Sequence, residues 1–284
     1  MKNFIIKFFI VILIIVIAIL LYGSFIEPSW LRTNEINITN NDITDSFDGF
    51  KIVHISDIHY GTTVNKNMLK DIVDEINLIK PDILVFTGDI FDDSVTLDED
   101  DYNDIIDNFK NITTSNGKYA IYGDMDKKEE WDNIISSSDF ESINDTSKLI
   151  FNGTNIPIVL SGISSNSGLE DIIEKNRTIT SFIEELEVKP CYSILLMHEP
   201  DYVDTIDVSN YNLILAGHSM GGINIPFIGT VGLPSYATKY YNGEYKISDS
   251  ILYVSNGVGT NKTRFRFRNR PSINLYRIVK GNTL

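Results

Sequence analysis

The stretch that decides the fold, residues 51–92, begins KIVHISDIHY (51–60) and ends ILVFTGDIFD (83–92). Each of these two segments starts with a short apolar or β-rich run, which is followed by acidic, histidine or glycine residues. Between them, residues 67–80 carry apolar side chains at helical spacing, and Pro81 ends that helix. The order strand, helix, strand predicts an α/β body.

Further along the chain the same kind of pattern continues. Apolar runs predict strands at Lys118–Tyr122, Ile158–Ser161, Ser193–Met197, Leu213–Ala216, Ile251–Ser255 and Ser272–Val279, and a helix at Leu169–Leu186. Alternating units early and strands late predict mixed sheets. We therefore expect residues 49–284 to form one α/β domain.

The N-terminus predicts a membrane anchor. Residues 8–26 carry no charge, and at about 1.5 Å per helical residue they nearly cross a bilayer core of roughly 30 Å. Lys2 and Lys7 precede this run, which places the N-terminus in the cytoplasm and the body outside. We expect residues 1–26 to be an uncleaved anchor and residues 27–48 a polar connector. A cleaved signal peptide and a buried core helix are the alternatives.

Composition excludes several classes of function. The net charge of −15 argues against binding to nucleic acid, because phosphate backbones require a basic surface. The single cysteine, Cys191, excludes an intrachain disulfide and a cysteine-rich zinc site. The acidic run Asp98–Asp101 is interpreted as a solvated loop or a helix start, since packed carboxylates repel.

Acidic and histidine side chains follow five of the predicted strands directly. They are Asp57, His59, Asp89, Asp124, His198 and His218. In an α/β body, functional residues lie on the loops after strands. Carboxylates and imidazoles that meet at one edge favour a site for manganese, iron or zinc. His54, in contrast, lies inside a strand and is interpreted as a core or edge histidine.

The motifs SDIH, GDIFD, GDMD, HE and GHSM occur in the same order as D-x-H, GDxxD, GNHD or GNHE, a lone His and GHxH. In this the sequence resembles the calcineurin-like metallophosphoesterase family from Gly49 onward. The stretches GGINIPFIGTVGLP (221–234) and RFRNRPSINLYRI (266–278) are similar to its membrane-associated branch, which includes UDP-2,3-diacylglucosamine pyrophosphatase-type enzymes. The resemblance implies a four-layer α/β/β/α sandwich of two mixed β-sheets, preceded by one transmembrane helix.

The resemblance also implies two divalent metal ions and assigns each of the six side chains to one or both of them. The first ion would be held by Asp57 and His59, with Asp89 bridging to the second. The second ion would be held by Asp124, His198 and His218. It assigns no catalytic side chain that this sequence retains.

Three positions depart from the family pattern. Asp124 replaces an asparagine and keeps an oxygen ligand. Met125 replaces the histidine that in the family assists the leaving group or stabilises the phosphoryl charge. Met220 replaces the last protein ligand of the first ion. A thioether is poorly matched to manganese or magnesium, so we expect the first ion to bind more weakly, or only one ion to be retained. Packing into the space of an imidazole is the structural alternative for both methionines.

The function implied is a metal-dependent phosphoesterase that hydrolyses a phosphodiester or diphosphate bond of a lipid- or nucleotide-linked envelope metabolite. Hydroxide on a metal would attack phosphorus in line. Without a histidine at position 125, a diphosphate is the better substrate, because its leaving phosphate has a second pKa of about 6. The alternative is a pseudoenzyme that binds metal and a phosphorylated ligand or partner without turnover.

One basic segment fits either function. Residues 263–270 read TRFRFRNR, and in a strand Arg264, Arg266 and Arg268 would share one face. Such a stripe would bind a phosphate or anionic lipid headgroups. An edge strand protected by charge is the alternative.

Overall fold

In the computed structural model, which describes residues 2–92, 94–165 and 169–281, two six-stranded sheets stack face to face. The strands are β1 (Arg32–Asn40), β2 (Lys51–Ile55), β3 (Ile83–Phe86), β4 (Lys118–Ala120), β5 (Glu141–Ser142), β6 (Thr146–Ile150), β7 (Ile158–Gly162), β8 (Tyr192–Leu196), β9 (Leu213–Ala216), β10 (Ile223–Ile225), β11 (Gly229–Val231), β12 (Gly243–Ile247), β13 (Ser250–Val254) and β14 (Ser272–Lys280). The helices are α1 (Lys2–Leu21), α2 (Lys66–Ile79), α3 (Glu99–Lys110), α4 (Lys128–Ser137) and α5 (Leu169–Glu185).

Both sheets are mixed. The first has the order β1-β14-β2-β3-β4-β5, and the second has the order β12-β13-β9-β8-β7-β6. Strands β2, β3, β4 and β5 run parallel, as do β7, β8, β9 and β13. Strands β10 and β11 form a separate hairpin. Because the parallel strands share a direction, the loops after them meet at one edge of each sheet.

Three apolar clusters define four layers. Between the sheets, Ile52 of β2 packs in the same cluster as Leu215 of β9. On the outer face of the first sheet, Val53 packs in one cluster with α2, α3 and α4. On the outer face of the second sheet, Ile214 packs with α5. Adjacent strand residues point to opposite faces, so the apolar runs are buried on both sides. The predicted α/β/β/α sandwich of two mixed β-sheets is confirmed.

The polar connector predicted at residues 27–48 is wrong for most of its length. Arg32–Asn40 forms β1, which pairs in parallel with β14 over its whole length. Its exposure alternates along the strand, as expected for an edge strand with one solvated face. A fragment that starts at Gly49 would therefore lack one edge strand of the first sheet. The outer limits of the predicted ranges, Met1 and residues 282–284, lie outside the described residues.

Two interpretations of polar residues are resolved by the fold. His54 is fully buried in β2, and its Nε2 lies 2.8 Å from Thr87 Oγ1, so it is a core histidine with a partner. The acidic run Asp98–Asp101 is a helix start. Asp98 accepts a hydrogen bond from the Asp101 N–H, and the Asp101 carboxylate accepts one from the Asp98 N–H. This reciprocal pair caps α3.

The predicted basic stripe is wrong. Residues 263–270 form an irregular loop rather than a strand, and Arg266 is buried while Arg268 is exposed. The Arg266 guanidinium donates to five backbone carbonyls, those of Met220, Asn256, Gly257, Gly259 and Asn269. This loop is ordered by side-chain-to-backbone hydrogen bonds, which strand periodicity does not reveal.

Helix α1 is the one candidate membrane span among the described residues. Lys2–Ser29 is long and apolar enough to cross a bilayer, and none of its apolar window is buried against the protein. The helix therefore projects from the body, which excludes a buried core helix. A π-helical segment, Tyr22–Ile26, and a 3-10 turn, Glu27–Ser29, continue α1 toward β1.

Candidate metal centre

Six acidic and histidine side chains meet where the carboxyl edges of the two sheets adjoin. They follow β2, β3, β4, β8 and β9, and they are Asp57, His59, Asp89, Asp124, His198 and His218. All but Asp124 are buried. Neighbouring strands that run parallel bring their terminal loops together, so residues far apart in sequence become neighbours here.

Four of these residues have left-handed backbone. Asp57, His59, Asp89 and His218 have φ values of 54°, 46°, 65° and 67°. Left-handed backbone is uncommon for residues other than glycine and is retained where the surroundings enforce it. Its repetition at four of the six side chains shows that the loops turn sharply to aim them inward.

The donor atoms form two groups that share one carboxylate. Asp57, His59 and Asp89 supply atoms that lie within 4.8 Å of one another. Asp89, Asp124, His198 and His218 supply a second such set. Asp89 Oδ2 lies 3.7 Å from His59 Nε2 and 3.3 Å from His198 Nε2. Asp89 thus stands between the two groups, as a bridging ligand would.

Each histidine is oriented by its second ring nitrogen. His59 Nδ1 lies 2.9 Å from the Phe91 carbonyl, and His198 Nδ1 lies 2.6 Å from the Thr87 carbonyl. His218 contacts the Ser235 carbonyl through Nε2, at 2.8 Å. The opposite ring nitrogen of each histidine points into the cluster, where it could bind a metal ion once its proton is lost. Metal-binding histidines are typically fixed in this way.

The electrostatics of the cluster are those of a cation site. Burial raises the pKa of Asp57. Burial also opposes the charge of Asp124, but hydrogen bonds from His198 and His218 outweigh it and hold its pKa well below the usual range. The pKa of His198 is raised, since the surrounding carboxylates outweigh its burial. Several carboxylates packed together need a positive charge among them.

The donor set fits divalent ions. His59 Nε2 is buried and has no hydrogen-bond partner among the described residues, although it faces two carboxylates. Separations of 3.1–4.0 Å join the ring nitrogens to the carboxylates. Two ligands each about 2.1 Å from one ion lie at such separations. Mixed imidazole and carboxylate donors suit zinc, iron or manganese.

Asp126 supports the centre, a role that its sequence position did not reveal. Its carboxylate accepts hydrogen bonds from the backbone N–H groups of Asp89, Ile90 and Gly123. Burial, with the nearby charge of Asp89, raises the pKa of Asp126 to about 7. The side chain therefore ties the loop after β3 to the loop after β4. The GDMD motif alone does not distinguish such a brace from a ligand.

Both methionines that depart from the family pattern contact Asn261. Its backbone N–H lies 3.3 Å from Met220 Sδ, and its side-chain Nδ2 lies 3.3 Å from Met125 Sδ. Met220 has a φ of 47°, like the neighbouring His218. The two thioethers and this asparagine thus occupy one wall beside the donor cluster.

Gly217 packs closely against the side chains of Ser56 and Asp57. An added Cβ would clash with Ser56 Oγ and lie 2.8 Å from Asp57 Oδ2. We expect Gly217→Ala to displace Asp57, to lower the free energy of unfolding by about 1–3 kcal/mol and to weaken metal binding. Thermal unfolding with and without manganese measures both effects. A variant that unfolds and binds metal like the wild type would contradict this packing.

Comparison with known proteins identifies the family. The model of the calcineurin-like phosphoesterase family matches residues 50–222. The chain belongs to this family. It is 30% identical over 268 residues, 92% of this chain and 90% of the relative, to the uncharacterized metallophosphoesterase YkuE of Bacillus subtilis. It is 20% identical to the phosphodiesterase YaeI of Escherichia coli, covering 91% of this chain and 92% of the relative.

A further relative is named as a transmembrane protein. The chain is 24% identical to a transmembrane protein with metallophosphoesterase domain of Danio rerio, over 84% of this chain and 55% of that protein. Members of the family are generally metal-dependent phosphoester hydrolases. That each of the six side chains binds a metal ion stays a prediction.

Proposed function

We propose that the chain is a membrane-anchored phosphoesterase that hydrolyses a diphosphate or phosphodiester bond in a lipid- or nucleotide-linked envelope metabolite. The observation that carries this is the pair of donor groups that share Asp89, with His59 Nε2 facing two carboxylates and lacking a hydrogen-bond partner among the described residues. Two ions bound there would stabilise charge on the phosphate oxygens and make water a stronger nucleophile.

Other residues of the chain hold the candidate metal ligands in position. The carbonyls of Phe91, Thr87 and Ser235 fix the three imidazoles. Asp126 fixes the loops that carry Asp89 and Asp124. Rigid positioning of this kind is a large part of phosphoryl-transfer catalysis.

The missing histidine at position 125 supports a diphosphate substrate. General acid assistance is worth about 10²–10⁴-fold, and it matters most for a leaving group that is unstable as an anion. A phosphate leaving group is stable, with a second pKa of about 6, whereas an alkoxide is not. Met125 therefore favours substrates that release a phosphate monoester, and it is compatible with the branch of diphosphate hydrolases suggested by the sequence.

The test compares two substrates on one preparation of the full-length chain with manganese. A nucleoside diphosphate sugar should be hydrolysed faster than glycerol phosphate by about 10²-fold or more. Faster hydrolysis of the alkyl monoester would overturn the proposed substrate class.

Restoring the family residue tests the proposed role of Met220. Met220→His is expected to raise manganese affinity at the Asp57, His59 and Asp89 group by at least about 10-fold, since single supporting groups change metal affinity by 10–100-fold. Titration calorimetry measures the change, with Met68→His on α2 as the control for an added imidazole. Unchanged affinity at both positions would mean that the Met220 side chain does not face the first ion.

We propose that the metal centre lies on the extracytoplasmic side. Lys2 and Lys7 precede the apolar helix and favour the cytoplasm. Protease added to sealed spheroplasts should then digest the body of the chain. A body that is fully protected from the protease would contradict this orientation.

The second candidate is a metal-binding pseudoenzyme that holds a phosphorylated ligand without turnover. The contacts of Met125 and Met220 with Asn261 favour it, because both thioethers already have a packing partner. Metal-dependent binding of the diphosphate with no product formed would support this candidate over the hydrolase.

A further inference from the structure

The β10–β11 hairpin carries the most exposed apolar side chain outside α1 among the described residues. Phe227 is 109% exposed and Ile228 is 72% exposed. Phe227 also has a φ of 67°, a conformation that bulky side chains rarely adopt. The tip thus holds two large apolar side chains away from the protein, and water is an unfavourable environment for both.

The base of this hairpin contacts the loop of residues 263–270, and this loop packs against the end of the candidate membrane helix. The Asn224 N–H donates to the Phe267 carbonyl at 3.0 Å. The Phe267 ring contacts the ring of Tyr22 edge-on, with 6.3 Å between centroids. The Arg266 N–H donates to the Gly23 carbonyl at 2.9 Å. Two hydrogen bonds and one ring contact therefore connect the hairpin to the end of the helix.

This junction is packed closely. An added Cβ on Gly23 would clash with the Phe265 ring and lie 2.8 Å from the Arg266 carbonyl. The buried Glu27 carboxylate accepts hydrogen bonds from the backbone N–H groups of Arg268 and Asn269. The face that carries the hairpin is thereby held next to the point where α1 leaves the body.

The same face has a composition suited to a bilayer surface. Phe25, Ile26 and Trp30 are 68%, 55% and 52% exposed at the end of the helix. Aromatic side chains favour the membrane interface. Lys262 and Arg268 are exposed in the adjoining loop, although the whole chain carries a net charge of −15. These two positive charges would attract anionic headgroups in the adjoining leaflet.

From these contacts we propose that the β10–β11 hairpin is a second membrane contact, with Phe227 and Ile228 inserted into the leaflet from which α1 emerges. The inference rests on the membrane placement proposed above. A cavity of about 510 Å³ lies between the hairpin base and the loop of residues 260–266, lined by Leu233, Phe265 and Met220 among others. It extends from the wall beside the metal centre toward the membrane face.

The test places one label at the hairpin tip and one at a matched position. Cys191 is buried and is the single native cysteine, so Cys191→Ala gives the background. Phe227→Cys and Phe151→Cys are each labelled with an environment-sensitive fluorophore. Phe151 is also an exposed phenylalanine, at 51%, and it lies near Asn116 at the opposite edge of the sheets.

The full-length variants are reconstituted into phosphatidylcholine and phosphatidylglycerol vesicles that contain spin-labelled lipid. We expect blue-shifted emission and strong quenching at position 227, and neither at position 151. Vesicle flotation is measured on the same samples. Protein that floats with equal emission and quenching at the two positions would overturn the hairpin contact alone, whereas protein that fails to float would overturn the anchor and the hairpin contact together.

Discussion

Asp89→Asn is expected to remove both bound ions and to lower metal-dependent hydrolysis by at least about 10²-fold. Changing a residue that only supports a metal ligand costs up to about 10²-fold, and loss of a ligand should cost at least as much. Asp89 is the one side chain common to both donor groups. An amide keeps the size and one oxygen but loses the negative charge that two cations would share. Metal content by elemental analysis and hydrolysis of a diphosphate measure the effect.

The matched control is Asp82→Asn, which lies at the other end of the same strand. Asp82 accepts hydrogen bonds from the Lys51 N–H and the Ser115 hydroxyl, far from the donor groups. This variant should keep wild-type metal content and activity. An Asp89→Asn protein that retained both ions would show that Asp89 does not bridge.

Arg266→Met is expected to lower the free energy of unfolding by about 3 kcal/mol or more, because it leaves buried carbonyls without donors. For a domain of this size that corresponds to a fall in melting temperature of roughly 6 °C or more. Burial lowers the pKa of this guanidinium to about 10, so it remains charged at neutral pH. Its acceptors include Gly257 and Gly259, whose backbones pack against Asp57 and Ile58.

The exposed Arg268 provides the control for lost charge. Arg268→Met keeps the backbone hydrogen bond to Glu27 and should change the melting temperature little. Calorimetry of both variants separates the two contributions. Equal melting temperatures for Arg266→Met and the wild type would contradict the role of Arg266 in holding this loop.

The strand ends were the most predictable part of the site. Strand β9 occupies the predicted range Leu213–Ala216, and His218 follows it as expected. Apolar runs bounded by glycine and acidic residues define such strands locally. Since parallel strands point the same way, the order of the motifs is enough to predict that their loops converge.

What the sequence did not reveal depends on contacts between distant residues. Strand β1 is polar and alternating, and it forms only because β14, some 240 residues away, offers a free edge. The burial of Arg266 depends on carbonyls from two connections, the one after β9 and the one between β13 and β14. The bracing role of Asp126 likewise depends on backbone N–H groups of another loop. Hydrophobic periodicity carries no information about these pairings.

We expect these six side chains to hold a pair of divalent ions. The most direct test is the number of ions per full-length chain after dialysis against manganese and against zinc, measured by elemental analysis. Two ions per chain are predicted, since the two donor groups share a single carboxylate. One ion or none would contradict the paired centre and would make the metal-binding pseudoenzyme the better account of the chain.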